Sequence, residues 1–187
     1  MNILWDYDGT LFNTYPAYAK RMSQVLGGKV SEADCYKELK ISATHAISFF
    51  RLSESQIEEY NHLISSISPE EMPPFDHVED ILKKAGRNVI MTHKDRTGAY
   101  KVLDFYGFTK YFSEIVTADD GFPRKPDPAS YKYLHDKHRI DLAVGDRELD
   151  IIPARQLGLY TCLFQNNKPA DFHLEDYKDF FKVVVFK

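Results

Sequence analysis

Near its amino terminus the chain reads Asn2-Ile3-Leu4-Trp5-Asp6-Tyr7-Asp8-Gly9-Thr10-Leu11-Phe12, an apolar run that stops in two carboxylates one residue apart. On an extended backbone, residues two apart face the same side, so Asp6 and Asp8 come together where the strand ends and Gly9 lets the chain bend. Like charges so placed repel, and one of the pair has its pKa raised unless a cation neutralises them. The arrangement makes sense mainly as a site that binds Mg²⁺ and uses the second acid in chemistry. The alternative is a solvated strand-to-turn junction, since Asp-Gly is a common turn signal.

Three more polar signals close three more apolar runs. Val89-Ile90-Met91 leads into Thr92 and His93; Glu114-Ile115-Val116-Thr117 leads through Asp119 and Asp120 to Lys125-Pro126-Asp127-Pro128; Leu142-Ala143-Val144-Gly145 leads into Asp146-Arg147-Glu148-Leu149-Asp150. In open α/β sheets, ligands bind at the carboxyl ends of parallel strands. Four such ends would pool a nucleophile, a hydroxyl donor, an ammonium and metal-binding carboxylates in one cleft.

The elements needed to position these groups are legible. Apolar runs near residues 3–7, 88–92, 114–117, 142–145 and 161–164 predict short, fully buried strands of a parallel sheet. Helices are expected at about 77–86, 95–106, 128–137 and 150–157, several ended by Gly86, Gly107 or Gly158. The run Val183-Val184-Val185-Phe186 reads as an edge strand or a packed tail. Residues 14–73 break the alternation: they carry no strand signal, and 17–26, 31–40, 44–50 and 53–66 show helical spacing. The expected organisation is an α/β core made of residues 1–13 and 74–187, with a helical insertion over 14–73 that returns through the stiff pair Pro73-Pro74.

With 187 residues, 43% of them apolar, the chain can bury one core and a small accessory one. A net charge of −4 and the lack of a Lys/Arg cluster along any helix argue against nucleic-acid binding. No stretch approaches membrane-spanning length, no signal-peptide pattern opens the chain, and Cys35 and Cys162 make neither a disulfide framework nor a zinc site. These features lead to an expectation of a cytoplasmic enzyme, monomeric or homodimeric, with no membrane or nucleic-acid partner.

The ordered set of motifs resembles the haloacid dehalogenase superfamily, in its phosphoglycolate-phosphatase-like branch. The first motif matches as Asp6-Tyr7-Asp8-Gly9-Thr10-Leu11-Phe12, the second as Thr92, the third as Lys125 before Pro126, and the fourth as Gly145-Asp146 with Asp150 four residues on. The resemblance implies a Rossmann-like three-layer sandwich with a central parallel sheet, and a helical cap inserted after the first strand. It further implies a Mg²⁺-dependent phosphatase of a small phosphorylated metabolite, phosphoglycolate-like as a first guess, working through an aspartyl-phosphate. Asp6 would be the nucleophile and Asp8 the general acid and base. Thr92 and Lys125 would hold the phosphoryl group, helped by backbone N–H groups of the Asp8-Gly9-Thr10 bend. The metal ligands would be Asp6, Asp146, the main-chain carbonyl of Asp8, and Asp150 directly or through a second shell. A phosphomutase of the same superfamily and a non-catalytic phosphate-binding regulator are the alternatives.

Arg147 departs from the family pattern, where many relatives carry Ser or Thr, and is expected to pair with Glu148, Asp119 or Asp120, the alternative being that it adds positive potential for an anionic substrate. His93 follows Thr92 and reads either as a structural strand-end residue or as one close enough to touch a substrate leaving group. In the insertion, Lys20, Arg21, Ser42, Thr44 and His45 are the polar candidates for substrate contact.

Overall fold

The computed structural model of the protein describes residues 1–186. Six strands form one sheet: β1 Asn2–Trp5, β2 Arg87–Met91, β3 Phe112–Val116, β4 Leu142–Gly145, β5 Tyr160–Phe164 and β6 Phe172–Leu174. Helices α1 Tyr15–Val25, α2 Glu32–Ile41, α3 Ala43–Phe49 and α4 Glu54–Ser65 follow β1 in sequence; α5 is Val78–Lys84, α6 Arg96–Phe105, α7 Ala129–His138, α8 Glu148–Gln156 and α9 Phe180–Val183. The chain divides into two compact units, Met1–Phe12 with Pro74 onward, and Asn13–Pro73. Among the described residues, no helix is long and apolar enough to cross a membrane.

The first unit is a Rossmann-like α/β fold. Every strand pair is parallel, in the order β3-β2-β1-β4-β5-β6. The chain builds outward from β1 on one side through β2 and β3, then returns to β4 on the other. The order therefore reverses between β1 and β4, which is where an open α/β sheet forms its crevice. Leu4 lies opposite both Val89 and Ala143 in register. On that face Leu4, Val89, Met91, Val116 and Ala143 pack with Tyr131 and Leu134 of α7 and Ala154 of α8. On the opposite face Trp5 stacks on Phe180 at 6.3 Å and meets Tyr177 edge-on at 5.9 Å. Burial on both faces explains the continuous apolar strands. Buried Asn88 is satisfied, accepting from Trp5 Nε1 at 2.9 Å and donating to the Leu82 carbonyl at 2.9 Å.

The edge strand beside β5 is β6, pairing Cys162 with Phe172 and Phe164 with Leu174. The Val183–Phe186 run makes no strand: Val183 closes α9, and Val184 beyond it packs down at 8% exposure.

The second unit is wholly helical, with Tyr15, Ala19, Met22, Val25, Cys35, Leu39, Ala46 and Tyr60 forming its interior. Helices α2, α3 and α4 start with side-chain caps, whereas α1 starts at Thr14 without one. Ser31 accepts from the Asp34 amide, Ser42 from that of His45, and Ser53 from that of Gln56 in a reciprocal capping box.

On β3, Glu114 accepts hydrogen bonds from Tyr133 Oη at 2.7 Å, Lys137 Nζ at 3.0 Å and His138 Nε2, all on α7. Burial alone would raise this carboxyl, but the bonds from His138, Tyr133 and Lys137 hold it at about 2. A depressed folded-state pKa gives stability that is present above the ordinary carboxylate range and is lost as pH falls through the folded value. Glu114→Gln is therefore expected to cost about 2 kcal/mol at pH 7 in urea unfolding, with the gap to wild type closing as pH approaches about 2. A gap that persists unchanged in acid would assign the loss to packing.

Candidate active site

β1 ends at Trp5, and the next amide, Asp6 N–H, still donates to the Val144 carbonyl at 2.9 Å, so Asp6 leaves the sheet tied to β4. Its carboxylate is held at both oxygens: Lys125 Nζ donates to Oδ1 at 2.6 Å, and Thr10 Oγ1 to Oδ2 at 3.1 Å. Burial first, then the Asp150 charge, raise the Asp6 pKa to about 7 against the pull of Lys125 and Arg147. Asp8 has different surroundings. Its carboxyl keeps 22% exposure, and Lys94 Nζ lies 3.9 Å from Oδ1. Two acids one residue apart are thus separated by environment, the pattern that lets a pair of carboxylates take different roles.

Between Asp8 and Phe12 the chain makes a tight turn through Gly9, whose φ is 79°. Two of the amides expected to be free in this bend are engaged within the turn. The Gly9 N–H donates to the Phe12 carbonyl at 2.8 Å and the Thr10 N–H reaches the Tyr7 carbonyl at 3.4 Å, because these groups close the turn. The Thr10 side chain instead orients Asp6, and its carbonyl accepts from Tyr177 Oη at 2.9 Å.

Thr92 follows β2 directly. Its N–H donates to the Val116 carbonyl at 2.9 Å, and its hydroxyl oxygen accepts from the Lys94 amide at 3.1 Å. His93 Nε2 accepts from the Lys125 amide at 2.9 Å. Burial, reinforced by Lys125, Arg124 and Arg147, pushes the His93 pKa down to about 4. The ring is therefore neutral at pH 7 and able to accept. The Lys125 ammonium, 2% exposed, bridges Asp6 at 2.6 Å and Asp150 at 2.9 Å. Burial would lower its pKa, but Asp150 and Asp6 hold it well above the usual lysine range.

Asp146 follows β4, and Asp150 lies in the first turn of α8, where its Oδ2 accepts from the Arg147 amide at 3.1 Å. Burial would push the Asp150 carboxyl up, yet Lys125 and Arg147 beside it hold it well below the ordinary range. Helix and strand meet closely here. A Cβ on Gly145 would lie 2.3 Å from Asp150 Cβ, so only glycine fits. The Asn166 amide fixes the Asp146 carbonyl at 2.8 Å.

Asp6, Asp146 and Asp150 are all buried, and each offers a carboxylate oxygen within 4.8 Å of the others, so the cluster could hold a metal ion. The donor set is oxygen only, which suits a hard cation. The Asp8 carboxylate is not part of it. Three carboxylates face two cations, Lys125 and Arg147, which leaves an excess negative charge for a bound cation to neutralise.

Arg147 does not pair as expected from its neighbours in sequence. It reaches Asp150 at 3.4 Å and Asp146 at 3.7 Å, while Asp119 and Asp120 bind Arg96 and Glu148 faces Lys168. The helical unit's polar candidates are mostly engaged within that unit: Arg21 binds Glu71 at 2.6 Å, Ser42 caps α3 and His45 binds Glu38 at 2.7 Å, whereas Lys20 and Thr44 are exposed. Lys94 and Asn166 were not singled out in the sequence. Lys94, two residues after Thr92, carried a signal in its spacing; Asn166 carried none.

A parallel α/β sheet that gathers acids and an ammonium at its strand ends defines a class of phosphoryl-handling enzymes. Residues 3–164 match the profile of the haloacid dehalogenase-like hydrolases. Pyrophosphatase PpaX of Oceanobacillus iheyensis is 27% identical over 216 residues, 97% of this chain and 95% of its own. Phosphoglycolate phosphatase of Vibrio cholerae is 32% identical over 76 residues, 38% of this chain and 34% of its own. A hydrolase from Streptococcus pneumoniae superposes with a TM-score of 0.67 at 30% identity, covering 88% of this chain and 92% of that one. A subfamily IA hydrolase from Geobacter sulfurreducens shares the fold with a TM-score of 0.75 at 18% identity, over 97% of each chain. The chain belongs to the haloacid dehalogenase-like hydrolase family and is an enzyme of its phosphatase type.

Proposed function

We propose that the protein is a Mg²⁺-dependent hydrolase of a small-metabolite phosphate monoester and works through an aspartyl-phosphate on Asp6. The observation that carries this reading is the Asp6 carboxylate, held at both oxygens by Lys125 and Thr10 beside the other two buried acids. Asp6, Asp146 and Asp150 would hold the cation, with the Asp8 carbonyl as a further ligand. Bound there, Mg²⁺ would favour the ionised nucleophile and neutralise phosphate charge.

A carboxylate oxygen of Asp6 attacks phosphorus as the bond to the leaving oxygen breaks, and Asp8 gives that oxygen its proton. Asp8, now ionised, takes a proton from water. The water oxygen attacks phosphorus, the bond to Asp6 breaks, and inorganic phosphate leaves with the nucleophile restored. The Thr92 hydroxyl, which accepts from Lys94 N–H, keeps its own proton to donate to a phosphate oxygen. Lys125 places an ammonium beside the nucleophile and the transferring group. Substrate choice is assigned to the helical segment 14–73, and the relatives' names put phosphoglycolate and pyrophosphate first among compounds to try.

The test is phosphate release from a panel of phosphate esters and pyrophosphate, with Mg²⁺ and with chelator. Chelator-sensitive release from at least one monoester is expected, and no release from any compound would overturn the reading. On the same panel, Asp8→Asn should spare aryl phosphates relative to alkyl ones, since a good leaving group needs less protonation. Equal losses would remove Asp8 as the acid.

A further inference from the structure

We infer that His93 is a positioning residue that acts through Lys125: its ring nitrogen holds the Lys125 main-chain amide and thereby sets where the ammonium falls between Asp6 and Asp150. This rests on the reading in which Lys125 serves phosphoryl transfer.

The contact joins two site elements 32 residues apart, with the Lys125 N–H donating to His93 Nε2 at 2.9 Å. Its two ends differ in rigidity. His93 follows Thr92, whose amide is still bonded to β3 through the Val116 carbonyl at 2.9 Å. Lys125 lies between the helical turn Ala118–Asp120 and α7, in a stretch with neither strand nor helix. Local bonds there run from Asp127 N–H to the Arg124 carbonyl at 3.0 Å, closing a turn around Lys125, and from Ala129 N–H to Asp127 Oδ1 at 2.8 Å; neither reaches the sheet. The His93 ring is what ties the Lys125 main chain to the sheet.

The chemistry of the ring suits this task. Arg124 and Lys125 on the loop and Arg147 at the start of α8 all disfavour a charged imidazole, as does burial, while Asp150 favours one. The neutral ring with Nε2 as acceptor must carry its proton on Nδ1. A long lysine side chain can reach Asp6 and Asp150 together from only a narrow set of backbone positions, and an error of about 1 Å in a catalytic group can cost on the order of 100-fold.

Three variants, assayed with p-nitrophenyl phosphate and Mg²⁺, and one spectrum test the inference. His93→Phe keeps the ring and removes the acceptor; it should lower kcat about 10- to 100-fold with KM within about 3-fold. His93→Gln, whose Oε1 can accept at a similar reach, should recover most of the loss. A loss in KM alone, or no recovery in His93→Gln, would overturn the positioning role. Nitrogen-15 NMR of the wild-type protein at neutral pH should show His93 Nε2 unprotonated and Nδ1 protonated, and a protonated Nε2 would overturn the contact itself. Lys125→Ala separates the two levels. If it loses activity while His93→Phe keeps full kcat, this inference fails and the phosphatase reading stands; if Lys125→Ala stays fully active, the role of Lys125 in the reading fails.

Discussion

Asp6→Asn is expected to lower turnover by about 1,000-fold or more while leaving the fold intact, because it removes the group proposed to bond to phosphorus. The amide oxygen can still accept from Lys125, and the amide N–H₂ standing in place of Oδ2 can donate to the Thr10 hydroxyl oxygen, so the geometry of the site survives. Stability should move the other way. In the metal-free protein the Asp6 pKa is raised to about 7, chiefly by burial and then by Asp150. A raised folded-state pKa gives stability that is present below the ordinary carboxylate value of about 4 and is lost as pH rises through about 7. The asparagine carries no charge to bury and avoids that loss. The metal-free variant should therefore be more stable than wild type at pH 8, on the order of 2 kcal/mol, with the advantage shrinking toward pH 4. Parallel kinetics and urea unfolding check both halves. Wild-type turnover in the variant would eliminate the covalent route, and a variant less stable than wild type at pH 8 would show that the carboxylate is a net stabiliser of the fold.

The parts legible in the sequence were those where one physical demand dominates. β1, β2, β4 and β5 are buried on both faces, so they had to be apolar runs, and their ends stood out because Asp6, Thr92 and Asp146 follow directly. The helices of 14–73 announced themselves through helical spacing between Gly- and Ser-containing breaks, and three of them start at Ser31, Ser42 and Ser53, whose side chains cap them. Illegible features depended on partners remote in sequence. β6 is three residues of mixed polarity, Phe172-His173-Leu174, and exists only because β5 offers an unpaired edge. The more apolar Val183-Val184-Val185 read equally as an edge strand or a packed tail, and it lies at and beyond the end of α9. The Asp8-Gly9 pair signalled a turn without saying that the turn would consume its own amides. Arg147 had Glu148, Asp119 and Asp120 as expected partners, and the fold gave it Asp150 and Asp146, with Asp119 and Asp120 bound by Arg96 and Glu148 facing Lys168.

Lys125→Met is expected to damage both activity and folding, since it removes one cation from between two buried carboxylates and keeps only the bulk of the side chain. The ammonium reaches Asp6 at 2.6 Å and Asp150 at 2.9 Å with all three groups almost fully enclosed. Breaking a buried pair by deleting one partner costs about 3–5 kcal/mol, because the remaining charge is left without compensation. Arg147 still serves Asp150, so the carboxylate left exposed to the full penalty is Asp6, whose pKa would climb further. That carboxylate would escape by taking a proton, and a protonated Asp6 is a poor nucleophile. Turnover should fall by about 100-fold or more, with a smaller deficit at higher pH as Asp6 is forced to ionise. Lys125→Arg keeps the charge but needs room for a planar fork where a compact ammonium now fits, so it should recover stability more than turnover. Unfolding curves and pH–rate profiles for the two variants distinguish the roles of the lysine. If Lys125→Met keeps wild-type stability but loses turnover, the ammonium acts on the substrate alone; if Lys125→Arg restores both, charge is sufficient and the position of the nitrogen is not critical.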